Sequence, residues 1–373
     1  MRKILIIALI FSCFNIGKIS AVSFDDIISA ENGISVTASE NIAKISDDFS
    51  FYETAKNISK GIYTADTSGM LKKLIDILFA EISANARIMA AVILLGIITS
   101  FVSNISSSFS SSGASEAVFM CSYTVLAGIS ASGFYEISQC AKSAVEDMGL
   151  FVKGLIPVLT MLSASEGRVI SAAALHGQVL ATAAISSFII ESVIMPLVYA
   201  SFAIRLINNM TDAVSLNNLS KMTDKFSKRI MGFMMLIFTG VLNLTAFAAG
   251  TAENMGIKTA RFALNTFIPV TGGALAETVT SICASAGMIK NSAGIAGIVA
   301  IVLIAAYPVI KCAAVSFIYN FTGAIIEPVA DHRLASAVSA VGDCMGMMLA
   351  TVSVTAAQYI ISAAVLLNAY GRG

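Results

Sequence analysis

Apolar residues recur along this chain in long runs separated by short polar segments. The hydrocarbon core of a bilayer is about 30 Å thick, and a helix of about 20 mostly apolar residues crosses it. The pattern therefore predicts an all-α, polytopic helical membrane protein with six spans. The six runs lie at about 88–107, 117–138, 183–205, 229–250, 293–320 and 344–369.

Two further stretches, around Pro157 and Pro269, fit a bilayer in two ways. They form re-entrant or interfacial helices if the chain has six spans, and the count rises towards eight if they cross fully. Six spans make the two halves of the chain parallel, whereas an odd number of spans in each half makes them inverted. The sequence leaves both arrangements open.

The spacing of the prolines predicts an internal duplication. Pro157 and Pro196 are 39 residues apart, and so are Pro269 and Pro308, which places the second pair at an offset of 112 residues. Prolines that interrupt membrane helices leave backbone groups unpaired, and transporters use such groups to line a cavity. We therefore expect helix breaks or a passage at Pro157, Pro196, Pro269, Gly272, Gly273 and Pro308.

The chain divides into three parts by composition. Residues 1–23 have a charged start, a short apolar core and a small-residue end, typical of a signal peptide, with an uncleaved anchor as the alternative. Residues 24–85 hold 10 acidic residues against five lysines and have two amphipathic helical patterns. We expect this segment to be exported. Residues 86–373 form the membrane domain, with repeat units at about 117–208 and 229–320.

Basic residues predict the orientation of the spans. The loop within residues 205–229 contains five basic residues against two acidic ones. Positively charged loops stay on the cytoplasmic side of a membrane. Counting spans outward from this loop places residues 24–85 on the non-cytoplasmic side.

Candidate chemistry is sparse. Only 12% of the residues are charged, and no basic patch with interleaved aromatic residues appears, so nothing favours nucleic-acid binding. The two histidines, His176 and His332, have no partner at metal-ligand spacing, and no phosphate-binding or nucleophile motif is present. We therefore expect neither an enzyme nor a cofactor or metal site. For His176 we expect a hydrogen bond between packed helices.

Two ionisable residues lie inside apolar runs, where a charge is costly and usually faces a cavity or a partner. Glu191 is five residues before Pro196, and Lys311 is three residues after Pro308. Packed repeats would bring both to one interface, so a Glu191–Lys311 contact is one hypothesis. The alternatives are a helix end for Glu191 and a headgroup contact for Lys311.

One block of the chain resembles a known family. GIKTARFALNTFIPVTGGALAETV and the later NSAGIAGIVAIVLIAAYPVIKCAAVSFIYNFTGAIIEPV are similar to the C-terminal half of the stage III sporulation protein AE family of endospore-forming bacteria. The likeness is most specific over residues 256–328. The order of the spans extends the resemblance over nearly the whole chain. The first 85 residues are compatible with the family only in their general character.

The resemblance implies a role that no side chain shows. Family members are multi-pass proteins of the mother-cell membrane around the engulfed forespore. They are encoded with other stage III A proteins, including ring-forming subunits and an ATPase. The resemblance implies that this set joins a forespore membrane protein in a channel that maintains the forespore and supports its late gene expression after engulfment. The chain would be the membrane-platform or export-gate subunit, with no catalytic residue to carry over.

The residues themselves leave two other classes of function open. An independent secondary transporter for a small solute or ion would place its site where Pro157 and Pro269 bend the chain. A non-transporting scaffold would anchor ring proteins through residues 24–85. The first alternative needs polar groups near the bilayer midplane, and the second loses all function when residues 24–85 are deleted.

Overall fold

The computed structural model describes residues 34–46, 49–62, 67–108, 112–166, 168–210, 216–267 and 272–368. These described residues form helices and contain no strand, which confirms the all-α prediction. A π-helical turn, Ile190–Ile194, joins α5 to α6. The helices are α1 (Val36–Ala43), α2 (Phe51–Ser59), α3 (Thr67–Ser108), α4 (Ser112–Ser165), α5 (Val169–Ile189), α6 (Met195–Met210), α7 (Asn217–Phe267), α8 (Gly272–Ile326) and α9 (His332–Asn368).

Within the described part of the chain, six helical segments are long and apolar enough to cross a membrane. Four of them contain a predicted span, and the first and last overlap most of theirs, in the predicted order. The predicted polytopic fold is therefore confirmed, at the lower end of the six-to-eight range. The segments are Gly69–Val102, Ser115–Ser165, Val169–Met210, Asn218–Ala252, Gly287–Ile326 and His332–Leu367.

Two of the four spaced prolines do not interrupt their helices. α4 continues through Pro157, and α8 continues through Pro308. The expected re-entrant or interfacial helix around Pro157 is therefore wrong, because this stretch extends the second span. A proline removes one backbone hydrogen bond, and a long helix keeps the bonds on either side. Near Pro157, the Thr160 hydroxyl lies 3.0 Å and 2.9 Å from the carbonyl oxygens of Ile156 and Pro157.

The helices are much longer than a bilayer is thick. α4 has 54 residues and α8 has 55. At about 1.5 Å per residue each is about 80 Å long, against a hydrocarbon core of about 30 Å. Each of these two helices is therefore more than twice as long as one crossing requires.

α8 lies at the centre of the bundle, packed against α9 and also against α4, α3, α2 and α1. Glycines let α8 and α9 approach closely. A Cβ atom added to Gly342 on α9 would lie 2.9 Å from the backbone nitrogen of Asn320 on α8, which is too close for any side chain. Ala300, Ile301 and Ile304 on α8 are fully buried. Small residues at helix contacts are the usual device for tight packing in membranes.

The two short N-terminal helices dock on this bundle. α1 begins with a Ser35 cap, whose hydroxyl accepts from the backbone N–H of Ala38 and donates to Asp147 on α4. Phe51 at the start of α2 is fully buried and meets the Phe151 ring of α4 edge-on, with 5.8 Å between centroids. The first amphipathic pattern, in α1 and α2, therefore gains its partner within the same chain, whereas Leu71, Ile75 and Phe79 of the second pattern, at the start of α3, are exposed.

Candidate functional site

Charged side chains form contacts at one end of the bundle, where α4, α7 and α9 begin. Arg205 Nη1 on α6 lies 2.9 Å from Asp343 on α9, and its other terminal nitrogen binds Asp224 on α7. Arg333 at the start of α9 lies 3.4 Å from Glu116 on α4. These pairs fasten the starts of three long helices and the end of α6 together. We call this the Arg205 end.

A buried ion pair lies at the opposite end, where α4 ends and α5 begins. Lys290 on α8 is 2% exposed, and its Nζ lies 2.8 Å from Glu166 Oε2. Arg168 Nε lies 4.0 Å from the same oxygen. Because a buried charge without its partner is strongly destabilising, this pair ties the α4–α5 turn to α8. We call this the Lys290 end.

A third group of polar contacts joins four helices between the two ends. Lys44, the residue that caps α1, places its Nζ 3.6 Å from the centre of the Tyr307 ring on α8. The Tyr307 hydroxyl donates to Glu81 on α3 over 2.9 Å. Lys311, one turn further along α8, donates to Glu136 on α4 over 2.7 Å. These five residues are the Tyr307 cluster.

The Tyr307 cluster contains one of the two predicted intramembrane charges and surrounds one predicted proline. Lys311 pairs with Glu136, so the hypothesis of a Glu191–Lys311 contact is wrong. Glu191 instead lies in the π-helical turn and is exposed. Pro308 is buried beside Tyr307. Sequence reasoning missed Lys44, Glu81, Glu136 and Tyr307, because their partners are distant in the chain.

The other predicted passage residues are not gathered at one place. Pro157 and Pro196 are exposed on α4 and α6, respectively. Pro196 directly follows the π-helical turn, and such a widened turn accommodates a proline ring that would clash with the preceding turn of an α-helix. Gly272 and Gly273 are the first residues of α8. Pro269 lies outside the described residues.

His176 has the structural role that we expect of a histidine without a metal-ligand partner nearby in the sequence. Its Nδ1 on α5 lies 3.1 Å from the Thr160 hydroxyl on α4. This contact confirms the expected hydrogen bond between packed helices. In the described part of the chain, no three His, Cys, Asp or Glu side chains are placed to hold a metal ion.

A buried polar stripe on α9 was not anticipated. Thr351, Thr355, Gln358 and Ser362 recur at helical spacing, and each is at most 1% exposed. The Gln358 amide donates to Ser186 on α5. The threonine and Ser362 hydroxyls donate to carbonyls one turn back on their own helix. Such side chains join helices inside a membrane, and polar residues at helical spacing within an apolar run were the available signal.

These features define a polytopic helical membrane protein whose charged contacts connect helices. The chain belongs to the stage III sporulation protein AE family, because the family model described as Stage III sporulation protein AE matches residues 49–369. It is 26% identical over 299 residues to Stage III sporulation protein AE of Bacillus subtilis (strain 168), which covers 80% of this chain and 75% of that protein. No solved structure matches. The resemblance in the sequence is thereby confirmed, and with it a role in sporulation.

Proposed function

We propose that this protein is the membrane-platform or export-gate subunit of the stage III A channel complex between mother cell and forespore. In this role it maintains the forespore and supports late forespore gene expression after engulfment. Membership of the family supports the sporulation role, and six long apolar helices support a membrane location. Its membrane is the mother-cell membrane around the forespore.

The observation that carries the platform role is the length of the bundle. Helices of about 80 Å leave about 50 Å outside a hydrocarbon core of about 30 Å. The docked α1 and α2 helices add to that projecting part, through contacts such as Phe51 on Phe151. A surface of this kind outside the bilayer can bind ring-forming subunits. A protein that lies entirely within the bilayer has no such surface.

The orientation follows from the positive-inside rule. The basic residues of the predicted loop, which the structure places on α6 and in the first turns of α7, support a cytoplasmic position for the Arg205 end. The Lys290 end, with α1 and α2, then faces the space between the two membranes. In this arrangement an ATPase meets the Arg205 end, whereas ring-forming subunits and the forespore partner meet the Lys290 end.

The experiment is an in-frame deletion in the native host, followed by microscopy with a membrane dye and a late forespore-specific reporter. We expect sporulation to stop after engulfment is complete, with a shrinking forespore and a silent late reporter. Complementation with the full chain should restore both. Normal spores in the deletion strain would contradict the proposal and favour an independent secondary transporter.

A non-transporting scaffold is the second candidate, and the docking of α1 and α2 on the bundle favours it. A scaffold needs the docked helices but no path through the spans. The two candidates are separated by complementing the deletion with a chain that lacks residues 24–85 behind an intact leader. A pure scaffold loses all function, whereas a subunit that conducts solute keeps a measurable flux.

A further inference from the structure

A polar cavity of about 300 Å³ lies at the Arg205 end, between α6, α7 and α9. Its wall includes Arg205 and Asn208 from α6, Lys221 from the first turns of α7, and Ser336 and Asp343 from α9. The function proposed above makes no use of this cavity. Its volume is at the lower limit of ligand sites, which are typically about 300–1,000 Å³, so it suits a small polar group.

The side chains in its wall are mostly hydrogen-bond donors. Lys221 is exposed and has no ion-pair partner among the described residues. The Asn208 side-chain oxygen accepts from the backbone N–H of Leu216 over 2.6 Å, which leaves the amide N–H groups available. Arg205 uses its two terminal nitrogens on carboxylates and retains a buried Nε–H without a partner. Arg205 is neutralised by its two carboxylates, so Lys221 is the cation that, together with these hydrogen-bond donors, favours an anion.

The start of α7 adds to this preference. α7 begins at Asn217, and Ser220 and Lys221 in its first turns line the cavity. The N-terminus of a helix carries a partial positive charge and attracts phosphate groups. Guanidinium, ammonium, amide and hydroxyl donors together are the usual set that proteins present to phosphate oxygens.

The surroundings of the cavity indicate where the phosphate comes from. Four large apolar side chains next to the cavity residues are exposed on the same helices, and exposed apolar side chains of a membrane protein face lipid. The cavity therefore lies beside an exposed apolar surface, which we take to face lipid. These side chains are Ile207 and Met210 on α6, and Leu219 and Met222 on α7.

The geometry points to a binding site for the phosphate group of an anionic phospholipid, such as phosphatidylglycerol. Lys221 and the remaining donors of Arg205 and Asn208 bind the phosphate oxygens. Asp343 on α9 opposes binding, because its carboxylate is a like charge and occupies Arg205 Nη1 at 2.9 Å. Free phosphate shares this chemistry and is the other possible source of the group.

The test compares full-length protein and three variants in mild detergent, with lipid binding followed by native mass spectrometry and by thermal unfolding. Lys221→Gln removes a cavity cation, and Lys228→Gln is its matched control two turns further along α7, outside the cavity. Lys221→Gln should weaken phosphatidylglycerol binding about tenfold, as expected for one charge-assisted hydrogen bond. Lys228→Gln should leave it unchanged, and Asp343→Asn should tighten it severalfold.

The remaining outcomes are decisive in either direction. Equal weakening by Lys221→Gln and Lys228→Gln would overturn the site, because it would indicate diffuse attraction to a basic surface. Binding of phosphatidylcholine as strong as that of phosphatidylglycerol would overturn it as well. If inorganic phosphate stabilises the wild type as strongly as the lipid does, and Lys221→Gln abolishes that effect, the phosphate site is supported with a free anion as its occupant.

Discussion

At the scale of single residues, the pair formed by Lys290 and Glu166 is the most sensitive electrostatic contact of the Lys290 end. The side chains are 2% and 10% exposed, so water cannot replace a lost partner. Glu166→Gln should lower the free energy of unfolding by about 3–5 kcal/mol, because it removes the carboxylate that pairs with the buried Lys290 ammonium. Denaturant unfolding of the purified protein in detergent measures the change.

A matched control is available on α4. Glu146 pairs with Lys142 over 3.6 Å, and both side chains are 46% exposed. Glu146→Gln should change the free energy of unfolding by less than about 1 kcal/mol, because solvent screens the pair. The double variant Glu166→Gln/Lys290→Met should recover most of the stability lost in the single variant. A double variant as unstable as Glu166→Gln would show that the unpaired charge is not the cause.

The residue scale is also where the sequence was least informative. Lys311 was identifiable because it stands alone in an apolar run. Its partner was not, because Glu136 is 175 residues away in the chain and only the packing of α4 on α8 brings the two together. The hypothesis chose Glu191 for its distance from a proline. Distance along the sequence does not determine which faces of two helices meet.

At the scale of helices, the contact of α8 with α9 depends on Gly342. Gly342→Ala places a Cβ atom 2.9 Å from the Asn320 backbone nitrogen, so the two helices must move apart. We expect a loss of about 1–3 kcal/mol in the free energy of unfolding, the usual cost of overpacking. Thermal unfolding in detergent measures it.

Gly232 on α7 provides the control for this prediction. A Cβ atom added there meets nothing within 4 Å. Gly232→Ala should therefore leave the unfolding temperature unchanged or raise it slightly, since alanine has the better helix propensity. Equal destabilisation by Gly342→Ala and Gly232→Ala would show that the close contact between α8 and α9 is not the cause of the lost stability.

The docking of α2 on the bundle gives a second prediction at this scale. Phe51→Ala should cost about 3–5 kcal/mol of docking free energy, because the ring is fully buried against Phe151. The N-terminal segment should then become sensitive to protease while the six long helices stay protected. Val36→Ala is the control, since Val36 is 79% exposed. Unchanged cleavage in Phe51→Ala would contradict this packing.

The sequence predicted the spans but not the course of the helices between them. Hydropathy determines where a chain can cross a bilayer, and all six predicted spans lie in long helices. The expectation that a proline interrupts a helix considers only the turn that contains the proline. It therefore did not predict that α4 continues through Pro157. The 112-residue offset also does not predict the turn between α4 and α5. The turn after Ser165 has its counterpart in α8, and α8 is unbroken there.

At the scale of the whole molecule, composition does not reveal how far the helices extend beyond the length of a membrane span. Apolar residues in α4 and α8 extend past the length needed for a span, because these two long helices pack against each other. Buried residues such as Leu155 and Gly297, which meet at the α4–α8 contact, show this continuous packing. Hydropathy alone does not distinguish a lipid-facing residue from a buried one.

The central claim is that this bundle crosses the membrane with its docked N-terminal helices outside and its Arg205 end in the cytoplasm. The most direct measurement is labelling of single cysteines with a membrane-impermeant thiol reagent in intact vegetative cells that produce the protein in the cell membrane, where its non-cytoplasmic side faces the medium, in a background with the native cysteines replaced. Val36→Cys on α1 and Lys225→Cys on α7 are both exposed. The account predicts labelling of Val36→Cys only, with Lys225→Cys labelled after the cells are opened. Labelling of Lys225→Cys in intact cells, with Val36→Cys protected, would contradict it.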